Sequence, residues 1–174
     1  MAARKALASS KAMELLRSAK ISELPVDVKQ LAIYCGAEVR FEPFSGELSG
    51  MLRRQRNGKH VIGVNATHTS ARQRFTIAHE LGHLQLHKDE EFHVDESAPI
   101  RFRSELSGHA VDSDEIEANQ FAAELLMPSA FLEKAIASIP PGTESEEAVA
   151  HLADVFGVSV QAMTIRLSSL GKLS

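Results

Sequence analysis

"RFTIAHELGHLQLH", residues 74–87, is the stretch that decides the fold. It sets His79 and His83 four residues apart, with Glu80 directly after the first histidine. Phe75, Ile77, Ala78, Leu81, Leu84 and Leu86 leave a helix here almost no polar side. Residues i and i+4 share a helical face, about 6 Å apart along the axis, so two imidazoles at that spacing converge on one cation. Burying two imidazoles and a carboxylate costs several kcal/mol unless they are paired or hold a metal. A cation removes that penalty, and "HELGH" matches the metal-binding H-E-x-x-H pattern. Glu80 lies about 100° further round the helix than His79. It is out of place as a ligand but can reach a water on the metal. So short a pattern also arises by chance on solvated helices. Here the apolar flanks and the strand before the helix favour the metal. Gly82 agrees: mid-helix glycine costs about 1 kcal/mol against alanine, so its presence predicts a closely packed neighbour.

Zinc needs a third protein ligand, with a further position left for water. His87 is excluded, being about 12 Å along the axis from His79; it reads as a surface residue or one behind the ligands. A longer H-E-x-x-H-x-x-G-x-x-H pattern fails because Asp89 stands where its last histidine belongs. The remaining candidates lie in "DEIEANQFAAELLMP", residues 114–128: Glu115, Glu117 and Glu124. Ile116, Phe121 and Leu125 mark the buried face of that helix. Glu117 can point inward with them and stands ahead. Glu115 suits a cap, and Glu124 a solvated charge. For the oxyanion donor, His68, His93, His109 and Tyr34 remain open.

Outward from this motif the pattern is α+β. The basic, Ala- and Ser-rich start would suit a transit peptide, but Ala8, Ala12, Leu15, Leu16 and Ala19 form one helical stripe, and an amphipathic helix is the better reading. "LPVDVKQLAIYCG" reads as a second helix, with Pro25 near its start and Gly36 just past its end. "AEVRFE" alternates like a half-buried strand, and Asn57-Gly58 lies between two strand-like arms. Residues 37–64 are therefore expected to form a three-stranded antiparallel sheet. A polar irregular loop is expected from Lys88 to Val111. Asp112 and Ser113 are candidate N-caps for the ligand helix, which Pro128 ends. The motif helix is expected to start near Thr69 or Ser70. Ser129 can cap the helix after Pro128, and Thr143 with Glu146 resembles a capping box for another, which Gly157 stops.

The last segment, "AVAHLADVFGVSVQAMTIRLSSLG", has a helix–turn–helix rhythm. Its second helix offers only Arg166, with Lys172 beyond, whereas a recognition helix carries several base- and phosphate-reaching side chains. A tail packed on the main domain is preferred, and direct DNA binding is not expected. The organisation is read as residues 1–140 for the main domain and 141–174 for the helical tail.

With 174 residues, 44% hydrophobic and 24% charged, the chain can build one real core. A net charge of −4 does not suit a dedicated nucleic-acid carrier. No apolar run approaches the length of a membrane span. Cys35, the one cysteine, rules out a disulfide framework and a cysteine-rich zinc site and fits a cytoplasmic protein; it reads as a packing residue. The basic residues Arg53, Arg54, Arg56 and Lys59 at the hairpin tip read as solvated.

"RQRFTIAHELGH", followed after a loop by "EIEANQFAAELLMP", resembles the ImmA/IrrE family of metallopeptidases. The "VIGVN" strand and "FRSE" at 102–105 also fit. The resemblance implies a zincin-like fold of minimal gluzincin type. It implies one Zn2+ per chain, or Mn2+ or another divalent ion, held by His79, His83 and Glu117, with Glu80 as general base. It implies cleavage of a helix-turn-helix repressor, freeing mobile-element, toxin–antitoxin or stress genes. The alternative is a regulatory binding protein whose metal site is structural or vestigial.

Overall fold

Helix α1, Ala2–Ser18, opens the chain and buries Ala8, Ala12, Leu15 and Leu16 along the predicted stripe. The computed structural model describes residues 2–45, 48–55, 58–87, 92–95 and 109–172. Helix α2, Val28–Tyr34, is capped by Asp27, whose carboxylate accepts from the backbone N–H of Lys29 and Gln30. Gly36 follows it in the left-handed region at φ 78°, where an L side chain is disfavoured.

Three strands come next: β1 (Ala37–Glu42), β2 (Gly50–Arg53) and β3 (His60–Asn65). Strand β4, Phe92–Asp95, completes a sheet in the order β1-β3-β2-β4. Two expectations are corrected here. The sheet is mixed, because β1 runs parallel to β3, while β2 pairs antiparallel with both β3 and β4. Strand β3 is buried from Ile62 through Asn65 and takes a central place, whereas β1, with every second residue exposed, is left at an edge. The expected irregular loop also contains β4, which satisfies the open backbone edge of β2. Local composition carries no sign of that demand. The hairpin of β2 and β3 is present. Asn57 is outside the described residues; Gly58 takes a φ of 75°.

Helix α3, Ser70–Leu86, carries the metal motif and starts on Thr69, whose hydroxyl accepts from Arg72 N–H. Every residue from Thr76 to Leu84 is buried, so this helix is the centre of the molecule. Helix α4, His109–Leu126, begins one turn before the predicted cap. Ser113 therefore sits inside the helix, and its hydroxyl accepts from Arg4 of α1. The described part of the chain does not include the "FRSE" segment.

Helices α5 (Ser129–Ala137), α6 (Ser145–Phe156) and α7 (Val160–Ser169) finish the fold. Their caps differ from expectation. Glu124, from α4, accepts from both the backbone N–H and the hydroxyl of Ser129. The Thr143 hydroxyl donates to Pro140 O, so no capping box forms. Gly157 ends α6 in the left-handed region as predicted.

Helices α6 and α7 meet at a bend of 105°, within the helix-turn-helix range. Yet Arg166 is only 4% exposed. Its guanidinium donates to Glu124, Ser129 Oγ and Met127 O, so it ties the tail to α4. Glu124, read from sequence as solvated, is this buried partner. From the other side, Arg74 of α3 donates to Gly157 O and Phe156 O at the end of α6. Val149, Leu152, Phe156, Met163 and Leu167 of the tail share one core cluster with α1, the sheet and α3. No single helix among the described residues is long and apolar enough to cross a membrane.

Candidate metal centre

Helices α3 and α4 pack antiparallel, and Gly82 is where they touch. A Cβ placed on Gly82 would stand 3.0 Å from Ala118 Cα and 3.1 Å from Ala118 O. The close neighbour predicted from this glycine is therefore the α4 backbone. The approach brings polar side chains of α4 onto the histidines of α3.

His79 Nε2 and His83 Nε2 lie 3.1 Å apart. Glu115 reaches both, with Oε2 at 3.3 Å from His79 Nε2 and Oε1 at 3.4 Å from His83 Nε2. Four ligands arranged tetrahedrally at about 2.1 Å from an ion stand about 3.4 Å from one another. The three donors already have that spacing.

Proton placement supports the same conclusion. Asn119 Oδ1 lies 3.1 Å from His79 Nδ1 and only accepts, so Nδ1 carries the proton and Nε2 presents a lone pair. An imidazole lone pair and a carboxylate converge on one buried point. Such a set is repulsive until a cation occupies it. The residues present fit a divalent ion of the zinc class.

The third carboxylate differs from the one expected. Glu117 is not brought to His79 and His83; Glu115 is. Residues two apart on a helix point about 200° from one another, so only one of the two can face the pair. Because α4 starts at His109, Glu115 stands within the helix and shares a face with Asn119 four residues on. Glu117 shares the adjacent face with Asp114 and meets His87 instead, its Oε2 at 3.4 Å from His87 Nε2. Proximity of Glu115 to both histidines could have been found in the sequence only by fixing the start of α4.

Glu80, one residue and about 100° round the helix from His79, is fully buried. Its Oε1 lies beneath Gly50 of β2, 3.3 Å from where a Cβ at 50 would be. Glycine at 50 leaves room first for the Thr76 methyl group, which a Cβ there would strike, and beside it for this carboxylate, a role the sequence reading missed.

Of the oxyanion candidates, Tyr34 is 57% exposed and lines a cavity of about 560 Å³ between α1 and α2 that contains none of these site residues. His68 sits in the turn after β3, its backbone N–H donating to Asn65 O. The side chains of His93 and His109 are outside the described part of the structure. Arg54, at the base of the hairpin tip, donates to His83 O, so it is not simply solvated. Cys35 is half-buried, and burial pushes its thiol pKa up, which suits packing rather than nucleophilic attack.

The sequence model of the IrrE N-terminal-like domain, a peptidase family, matches residues 33–168. Uncharacterized immunity region protein 2 of Bacillus phage phi105 is 33% identical over 99 residues. That match spans 57% of this chain and 57% of the phage protein.

Proposed function

Because the chain belongs to the IrrE N-terminal-like peptidase family, we propose that it is a zinc-dependent endopeptidase that cleaves a helix-turn-helix repressor. The observation that carries this reading is the convergence of His79, His83 and Glu115 within 3.1–3.4 Å, with Glu80 buried beside them. A structural site needs no such carboxylate. The relative's place in a phage immunity region supports a repressor as the substrate.

In this reading His79, His83 and Glu115 hold the ion. When bound, zinc supplies Lewis acidity toward a peptide carbonyl and toward water. Glu80 takes the proton of the attacking water on a carboxylate oxygen and returns it to the leaving amine. Its burial keeps bulk water from competing for that proton. The substrate strand adds to the open edge of β4, whose outer backbone groups face no other described strand. Asn119 holds the ring of His79 in the tautomer that serves the ion.

The test is incubation of the zinc-loaded protein with the helix-turn-helix protein encoded beside it, read by intact mass. Two repressor fragments should appear with the wild type and not with Glu80→Gln. A repressor that stays whole yet co-purifies would replace this reading with regulation by binding. A cut that survives Glu80→Gln would remove Glu80 from the chemistry.

A further inference from the structure

We propose that His87 and Glu117 form a hydrogen-bonded relay that positions the ligand His83, an inference resting on the metal-site reading above. His87 ends α3 with a non-helical φ of −116° and ψ of 83°, while its backbone N–H still donates to His83 O. Leaving the helix there turns the ring back on the preceding turn. His87 Nδ1 comes within 3.1 Å of His83 Nδ1. On its other side, His87 Nε2 lies 3.4 Å from Glu117 Oε2.

The direction of the protons follows from the last member. The Glu117 carboxylate only accepts, so His87 Nε2 carries a proton. With that proton on Nε2, the His87 ring accepts at Nδ1, and His83 donates from its own Nδ1. That leaves the lone pair of His83 on Nε2, the atom aimed at His79 and Glu115. The relay does for His83 what Asn119 does for His79. The carboxylate is itself held: Arg4 Nε stands 3.1 Å from Glu117 Oε1, so helix α1 anchors the outer end.

His87, Asp114 and Glu117 could also be imagined as a second cation site. The guanidinium of Arg4, 3.1 Å from Glu117 and 3.9 Å from Asp114, already supplies the positive charge there. A positioning role is therefore the better reading. It also explains why an acid two residues from Glu115 is 7% exposed without being a ligand.

The experiment is titration of the metal-free protein with Co2+, following the visible ligand-field bands and competing with a chromophoric chelator. Wild type should bind one ion, and His83→Ala and Glu115→Ala should abolish binding. His87→Leu should weaken binding about 10- to 100-fold and shift the bands, while the metal-free protein melts as before. His87→Gln keeps an oxygen that can accept from His83 Nδ1–H and should restore most of the affinity. Wild-type affinity and spectrum in both His87→Leu and Glu117→Leu, with His83→Ala still inactive in binding, would overturn the relay alone. Loss of all binding in Glu117→Ala but not Glu115→Ala would make Glu117 a ligand and overturn it too. Cobalt binding that ignores His83→Ala would instead remove the metal site, and the relay with it.

Discussion

Replacing Gly82 by alanine sets two known effects against each other. Alanine in a helix interior is worth about 1 kcal/mol more than glycine. Against this, the new methyl would meet Ala118 Cα at 3.0 Å, its carbonyl oxygen at 3.1 Å and its Cβ at 3.3 Å. Comfortable carbon contacts begin near 3.5 Å, so the helices must part by about 0.5 Å. Two of the three atoms belong to helix backbone and cannot swing aside as the tip of a long side chain would. Overpacking of this kind costs about 1–3 kcal/mol, so the net change should be a loss of about 1 kcal/mol. For a chain of this size that lowers Tm by about 2–4 °C. The effect on the site should be larger in proportion. Glu115 and Asn119 flank Ala118 and move with it, whereas metal–ligand distances tolerate about 0.2 Å. Zinc affinity should fall at least about tenfold. Thermal unfolding with and without zinc, together with chelator competition, measures both quantities. A Gly82→Ala protein that is more stable by the full helix-propensity gain and binds zinc like wild type would refute the argument that this glycine sets the spacing of α3 and α4.

Two further predictions concern groups outside the metal centre. Arg166→Met strands the Glu124 carboxylate in the core, where it is 3% exposed, and should cost about 3–5 kcal/mol in urea unfolding; a cost below about 1 kcal/mol would mean the pair does not hold the tail. Burial raises the Cys35 pKa, so alkylation by iodoacetamide should stay slow through pH 8 and accelerate only above the usual thiol value of about 8.5. The same shift makes the thiol's contribution to stability whole below that unfolded-state value and lost as pH rises through the higher folded one. Fast labelling at pH 7 would contradict this.

Much of the architecture could be read locally. The apolar flanks of His79 and His83 gave α3, and Thr69 marked its start within one residue. The Ala and Leu stripe gave the buried face of α1, and Gly157 the stop of α6. Gly82 announced a close helix neighbour without naming it. These are short-range signals: a period, a cap or a backbone angle is decided within one or two turns of chain. The errors have the opposite character. Thr143, Ser113 and Ser129 all look like caps, yet each hydroxyl is engaged in a different contact, the last two by groups from other elements.

The sequence by itself determined that two histidines and a glutamate lie on one buried helix, because a period of 3.6 residues and the cost of burying polar groups leave little alternative. It also left Glu115, Glu117 and Glu124 of "DEIEANQFAAELLMP" as the acids that could face them, with Glu117 ahead. Only the tertiary structure decided which one. Glu115 and Glu117 differ by about 200° around α4, and the start of that helix, its antiparallel packing on Gly82 and the hold of Arg4 on Glu117 set the rotation. The same holds for the sheet, where β3 moved between β1 and β2, and for Arg166, drawn inward by Glu124. Sequence patterns specify faces; partners distant in the chain are chosen by which faces can be buried together.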